Sequence, residues 1–221
     1  MDCDLKSSLF RMLSTEELNG LKMKRYDVVF KPGDIIFKQG TAVHSLFSVN
    51  SGKVKLFFED INHNALTFKI AKPGEILLCP GLFTDKRHYF SAMAIEKAIL
   101  CFVNMEDIKQ LIFSNHDFGN EFLKQTNLDV IHFYNRFLSH TRKQMHGKMA
   151  DALLYLSDEV FDENDSEIKI SNQDLAELSG INRDNVVRIL KKFSAEKTIQ
   201  ITRNQIKILN LEKLQECSRL G

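Results

Sequence analysis

No Cys-x-x-Cys pair occurs in this chain: its four cysteines, Cys3, Cys79, Cys101 and Cys217, are scattered over 221 residues. That removes the closely spaced thiolates an iron–sulfur cluster needs. Cys101 sits in an apolar run and reads as a small core side chain, while Cys79 is the one thiol whose setting would suit a sensor. The histidines, His44, His63, His88, His116, His132, His140 and His146, are equally dispersed. Only His132 and His140 share roughly one helical face, so no metal site and no cofactor is expected, with haem ligation by a histidine left open. No window approaches about 18 apolar residues, and the opening MDCDLKSSLFRML carries acids early, which argues against a membrane span and a secretory leader and for a cytoplasmic protein. Also missing are a nucleophile–base pair, a phosphate loop and clustered carboxylates, so an enzyme is not expected. Net charge is only +1, and any attraction for nucleic acid must come from how charge is distributed. The remaining composition, 43% hydrophobic and 27% charged, is ordinary for a globular chain of one large or two ordinary domains.

What is present is charge sorted by position. From Arg183 to Lys207 seven Lys or Arg stand against Asp184 and Glu196, a local +5, whereas Asp151 to Glu177 sets nine acids against Lys169, a local −8. A basic patch suits phosphate, because neutralising it releases counterions. This stretch begins inside Ile170–Phe193, which reads as two short helices. Ser171 with Asp174 three residues on resembles a capping box that starts the first helix, and Leu175, Ala176 and Leu178 supply its packing side. Ser179-Gly180-Ile181 form the turn, where glycine tolerates left-handed backbone. Asn182 caps the second helix. At about 100° per residue, Val186, Ile189, Leu190 and Phe193 share one side of it. Asp184, Arg188, Lys191 and Lys192 share the other, with Arg183 at the N-terminal end. Such a helix can enter the major groove, where Arg donates bidentately to guanine O6 and N7 and a carboxylate accepts from cytosine N4. The charged face of a lone amphipathic helix is often merely solvated. The two-helix spacing, the lopsided charge and the alternating runs Ile199–Thr202 and Gln205–Ile208 around Arg203-Asn204 argue otherwise, since they read as the hairpin of a winged helix.

The run Gly180-Ile181-Asn182-Arg183-Asp184-Asn185-Val186-Val187-Arg188-Ile189-Leu190-Lys191 resembles, in register, the recognition helix of the Crp/Fnr family of bacterial transcription factors. The resemblance implies that Arg183, Asp184 and Arg188 read bases, that Ser171 and Gln173 hold phosphates at the start of the first helix, and that Asn182 and Asn185 contact the DNA backbone. One departure stands out: the family usually has Glu where this chain has Asp184, which is one methylene shorter and spaced to pair with Arg188 one turn on.

Residues 25–104 read as short strands separated by evenly spaced turn residues, the pattern of a sandwich or barrel. The phrases Phe30 to Gly40 and Val49 to Val54 resemble the opening turns of the cyclic-nucleotide-binding jelly roll, the sensor domain of the same family. The expected architecture is therefore α+β: a jelly-roll domain with flanking short helices over 1–116, a long dimerisation helix over 117–146 and a winged helix-turn-helix over 147–221. In the family's cyclic-nucleotide binders a Glu takes the ribose hydroxyl and an Arg-Ser pair takes the phosphate. Here Gly81-Leu82-Phe83 is kept, but Cys79 stands at the Glu position and Phe90-Ser91-Ala92 replaces Arg-Ser-Ala, with Lys86 and Arg87 out of register. Without that arginine the charge-assisted bonds to phosphate are lost, so a cyclic nucleotide is not the expected ligand. Leu78, Cys79, Gly81, Leu82, Phe90 and Ser91 mark the expected effector pocket, suited to a less charged molecule or filled by its own side chains.

From about Asp117 to Gln144 there is no proline, and apolar residues cover more than one helical face. Such a helix is buried on two sides, as the centre of a monomer or, as the family resemblance implies, between its own barrel and its twin. Leu128, Ile131, Leu138 and Met145, with Asn135 and Arg142 between them, fit a heptad seam. Gly147 reads as a hinge, followed by Lys148 to Val160 and an acidic loop from Asp162 to Glu167. The resemblance then implies a homodimer whose recognition helices, about 34 Å apart, read a palindromic operator in double-stranded DNA. RNA polymerase and an unidentified small-molecule effector near Cys79 to Ser91 are its further expected partners. The competing reading is a sensor or interaction module whose helix-turn-helix binds a protein partner.

Overall fold

The computed structural model describes residues 7–62, 64–161, 167–203 and 205–221. Cys3, His63, positions 162–166 of the acidic loop and Asn204 lie outside the described residues. The chain divides into two compact units, Met1–Asn64 with Lys69–His132, and Ala65–Phe68 with Phe133–Gly221. The division falls inside the long helix, whereas the sequence pattern put the boundaries at its two ends.

The first unit opens with a 3-10 turn, Ser8–Met12, and helix α1, Thr15–Lys24. A capping box starts α1, with Ser14 Oγ accepting from the Glu17 amide and the Glu17 carboxylate accepting from the Ser14 amide. Eight strands follow along the chain, with Ala65–Phe68 of the fifth counted in the second unit: β1 Tyr26–Phe30, β2 Ile35–Phe37, β3 Ser45–Ser51, β4 Val54–Glu59, β5 Ala65–Ala71, β6 Ile76–Leu77, β7 Ser91–Ala94 and β8 Ala98–Asn104. They make two four-stranded sheets, ordered β1-β8-β3-β6 and β2-β7-β4-β5, the sandwich that the strand pattern predicts and the jelly roll that the resemblance implies. At Gly52, φ is +76° and a Cβ would meet the Lys97 carbonyl oxygen at 2.4 Å, so only glycine closes that turn. Leu46, Cys101, Val103, Ile108 and Phe118 pack with Leu9 and Phe10 in the unit's core, which bears out Cys101 as a core side chain.

Helix α2, Met105–Ser114, leads into α3, His116–Arg142. Its 27 residues correspond to about 40 Å of rise. Two opposite faces of α3 differ in fate. Phe118 and Phe122 are buried, Gln125 donates to Ser8 Oγ at 3.0 Å, and Asp129 receives the Lys69 ammonium at 2.7 Å. On the other side Leu123, Val130, Ile131, Tyr134, Phe137 and Leu138 are exposed. Leu128 is also exposed, but at about 100° per residue it lies roughly 120° from the middle of that stripe. The exposed seam is thus centred on Val130, Tyr134 and Phe137, with Ile131 and Leu138 on its flank. Met145 does not continue it, because α3 ends at Arg142, short of the expected 146, and extended Gln144 caps a new helix, α4, Met145–Tyr155.

The second unit contains α4, a π-type turn at Leu156–Val160, β9 Ile168–Lys169, α5 Asn172–Ser179, α6 Arg183–Ala195, β10 Ile199–Thr202, β11 Gln205–Ile208 and α7 Leu211–Leu220. The expected hairpin β10–β11 gains β9 as a third strand. Gly147 is not a hinge. It is buried inside α4, and a Cβ there would meet the backbone of Gly221 at 2.9 Å, so its role is the close approach of two segments.

Candidate nucleic-acid interface

Local chemistry sets the helix pair. Ser171 Oγ accepts from the Asp174 amide at 3.0 Å and donates to the Asp174 carboxylate at 2.6 Å. This differs from a capping box with Glu, since the shorter side chain takes the hydroxyl proton and leaves the cap residue's own amide. Gly180 closes α5 at φ +65°, its amide bonding the Ala176 carbonyl. Asn182 Oδ1 then accepts from the Asn185 amide at 2.9 Å and starts α6. Val186, Ile189, Leu190 and Phe193 are buried beneath α6. Burial of side chains this size contributes about 1.5–3 kcal/mol each, enough to fix which face of the helix looks out.

That outer face carries Arg183, Asp184, Arg188, Lys191 and Lys192, all exposed. Arg188 is not paired with Asp184. Its Nη2 donates to Asn185 Oδ1 at 2.9 Å, because a neighbour three residues back lies under the guanidinium while the short Asp184 side chain stays clear. Asn182, Asn185 and Arg188 therefore form a relay from the helix cap to the guanidinium. Gln173, exposed on the first turn of α5, donates to Glu177 at 3.0 Å. Two residues that sequence reasoning passed over join this surface: Lys169 and the hairpin-tip Arg203, which with Ile170, Ser171 and Gln205 line a cleft of about 540 Å³. The signal for Arg203 was its place in a two-residue turn, where it adopts φ +55°.

Behind the helix pair, polar side chains of α3 that no motif flagged are buried. Arg136 is 6% exposed, donates to the Leu178 carbonyl and lies 5.5 Å over the Tyr155 ring. Ser139 and Lys143 reach the Asp151 carboxylate at 2.5 and 2.8 Å, and Ser218 donates to it as well. Although burial opposes it, these bonds hold Asp151 below the ordinary carboxylate range. His140 faces Gly180. Burial, aided by the Arg136 and Lys148 charges, lowers its pKa to about 4.

In the first unit, all six residues of the expected effector pocket are buried. Leu78, Cys79 and Leu82 belong to the apolar core, Phe90 packs its ring 5.7 Å from Phe37, and Ser91 Oγ accepts from the Gln39 amide at 3.0 Å. Burial pushes the Cys79 thiol above its ordinary pKa, which keeps it protonated and unreactive at neutral pH. Among the described residues no cluster of three or more His, Cys, Asp or Glu could hold a metal ion, and no helix is long and apolar enough to cross a membrane.

Comparison with known proteins agrees with this geometry. The model of the cyclic nucleotide-binding domain matches residues 27–115, and that of the Crp-like helix-turn-helix domain matches 147–217. The transcriptional regulator SdrP of Thermus thermophilus is 25% identical over 197 residues, covering 87% of this chain and 94% of that protein. The transcriptional activator protein Anr of Pseudomonas protegens is 22% identical over 228 residues, covering 100% of this chain and 91% of that protein. Among solved structures, FixK2 from Bradyrhizobium japonicum superposes with a TM-score of 0.80 at 16% identity, over 87% of this chain and 96% of that one.

Proposed function

Because the chain belongs to the Crp/Fnr family of transcription regulators, we propose that it acts as a cytoplasmic homodimer that reads a palindromic operator with Arg183, Asp184 and Arg188 and is controlled by an effector other than a cyclic nucleotide. The observation that carries the reading is the exposed, pre-positioned guanidinium of Arg188, held by Asn185 on the outer face of a helix whose opposite face is core. A side chain already ordered loses less freedom when it binds. Ser171, Gln173, Asn182 and Asn185 then face phosphates from the N-terminal ends of α5 and α6, where helix dipoles favour anions. Lys169 and Arg203 extend the phosphate track to the wing. Dimerisation through the exposed seam of α3 would bury six large apolar side chains otherwise left in water. No catalytic group and no cofactor enters this scheme, and RNA polymerase is the partner expected once DNA is bound.

Cys79 and Phe90 stand where a ribose-binding Glu and a phosphate-binding Arg would be needed, and the burial of all six expected pocket residues supports the reading in which side chains fill that space. The test is operator selection from a random duplex library, followed by titrations at several salt concentrations. Arg188→Ala should cost about 1–3 kcal/mol at one base pair of each half-site and relax preference there. Non-specific affinity, with its steep salt dependence, should stay near that of the native chain. Unchanged base preference in Arg188→Ala would exclude this docking. A helix-turn-helix that binds protein instead would show no selected sequence at all.

A further inference from the structure

The jelly roll contains a second concavity that shares no residue with the side-chain-filled pocket. It is a recess of about 460 Å³ beside β1, β2, β3 and β8, within the size range of small-molecule sites. Its wall is a chain of ring contacts: Tyr26 stacks on Phe102 at 5.0 Å, Phe102 meets Phe47 edge to face at 4.7 Å, and Phe47 stacks on Phe37 at 5.1 Å and Phe37 on His88 at 3.9 Å. Tyr26, at the outer end, is 58% exposed although it is one of the largest side chains in the unit. At the inner end His88 is 4% exposed, and its Nδ1 is buried without a hydrogen-bond partner, an uncommon state for a polar atom in a folded protein. Around the mouth stand Lys38, Thr41, His44 and Ser45, and among the described residues no Asp or Glu lines the recess. Lys38 has no ion-pair partner among the described residues.

We infer that this recess binds a flat aromatic carboxylate, its ring packed against the aromatic wall of Tyr26, Phe102, Phe47 and Phe37 and its anionic edge turned toward Lys38 and the hydroxyl of Ser45. A wall of ring faces and edges supplies the aromatic preference. An ammonium without a competing acid supplies the charge preference. Burial, reinforced by His44, keeps the His88 ring neutral with its pKa at about 4, so it backs the aromatic wall without adding a second cation. Backbone bonds tie His88 to the turn at the mouth: the His88 amide donates to the Thr41 carbonyl at 2.9 Å, and the His88 carbonyl accepts from the Gly40 amide at 2.7 Å. As the effector site, this rests on the regulator reading above. As a binding site, it does not.

The test uses the full-length chain without DNA, so its failure is separate from any failure of operator recognition. The chain has no tryptophan, which leaves the fluorescence of 2-naphthoate readable with little protein background. Anisotropy should show saturable binding below about 1 mM, with 2-naphthamide and Lys38→Met each weakening it about tenfold, roughly the loss of one charged hydrogen bond. Ala42→Phe, which fills the mouth from an exposed position, should abolish binding with an unchanged Tm. No saturation, equal affinity for acid and amide, or native-like binding by Ala42→Phe would each overturn the proposal. So would a haemin Soret band that His88→Phe removes while naphthoate stays silent, since that would make the recess a porphyrin site.

Discussion

Gly180 shows how much of the helix pair hangs on single residues. It holds φ +65°, and a Cβ added there would lie 2.7 Å from His140 Nδ1. Gly180→Ala should therefore destabilise the second unit by about 1–2 kcal/mol from backbone strain alone, with more if His140 cannot yield. Urea unfolding measures this, and a loss below about 0.5 kcal/mol would show that the turn is softer than its geometry. Glycine at this corner was legible in the sequence because a tight helix–helix turn has few solutions. The acceptor for Arg188 was not. Spacing pointed to Asp184 one turn back, whereas the guanidinium bonds the side-chain oxygen of Asn185, whose backbone amide is tied to the Asn182 cap. Buried Arg136 and His140 were illegible for a different reason: on a helix wheel they look like solvated polar residues, and nothing local reveals that the Leu178 carbonyl and the Gly180 turn cover them.

At the scale of elements, periodicity located helices and strands well and their ends less well. Alternating runs gave the strands of the jelly roll, and the 3.6-residue period gave α6 with the face it buries. The end of α3 escaped because Lys143 and Gln144 carry no stop signal; tertiary bonds from Ser139 and Lys143 to Asp151 turn the chain there. Heptad counting chose a seam through Leu128, Ile131 and Leu138, all of them exposed, while the middle of the exposed stripe shifts to Val130, Tyr134 and Phe137. That shift has a measurable outcome. Ile131→Asp with Phe137→Asp should give a monomer in sedimentation equilibrium with unchanged helix content, while Leu128→Asp should leave the oligomeric state close to native. The reverse pattern would restore the seam read from the sequence.

Across the whole molecule, both units share one acid limit. His88 in the first and His140 in the second each have a folded pKa of about 4 against 6.5 for an ordinary histidine, chiefly because burial penalises the charged ring. Above pH 6.5 neither ring is protonated in either state, and nothing is lost. Below it the unfolded chain takes up protons that the folded chain refuses, so stability drains between pH 6.5 and 4. Melting curves should show Tm falling through that window, and His88→Phe with His140→Leu should flatten the upper part of the fall, before carboxylates titrate. An identical slope in the double variant would place the loss elsewhere. Segregated charge explains at the same scale how a chain of net charge +1 can hold DNA. The corner between α3 and α4 sets how a signal could travel through the second unit. Ser139, Lys143 and Ser218 converge from α3, from just beyond its last turn and from α7 on the single carboxylate of Asp151. A shaft pinned this way has no backlash: a twist applied to its last turns would reach the helix-turn-helix as torque, undiluted by any free joint at the corner.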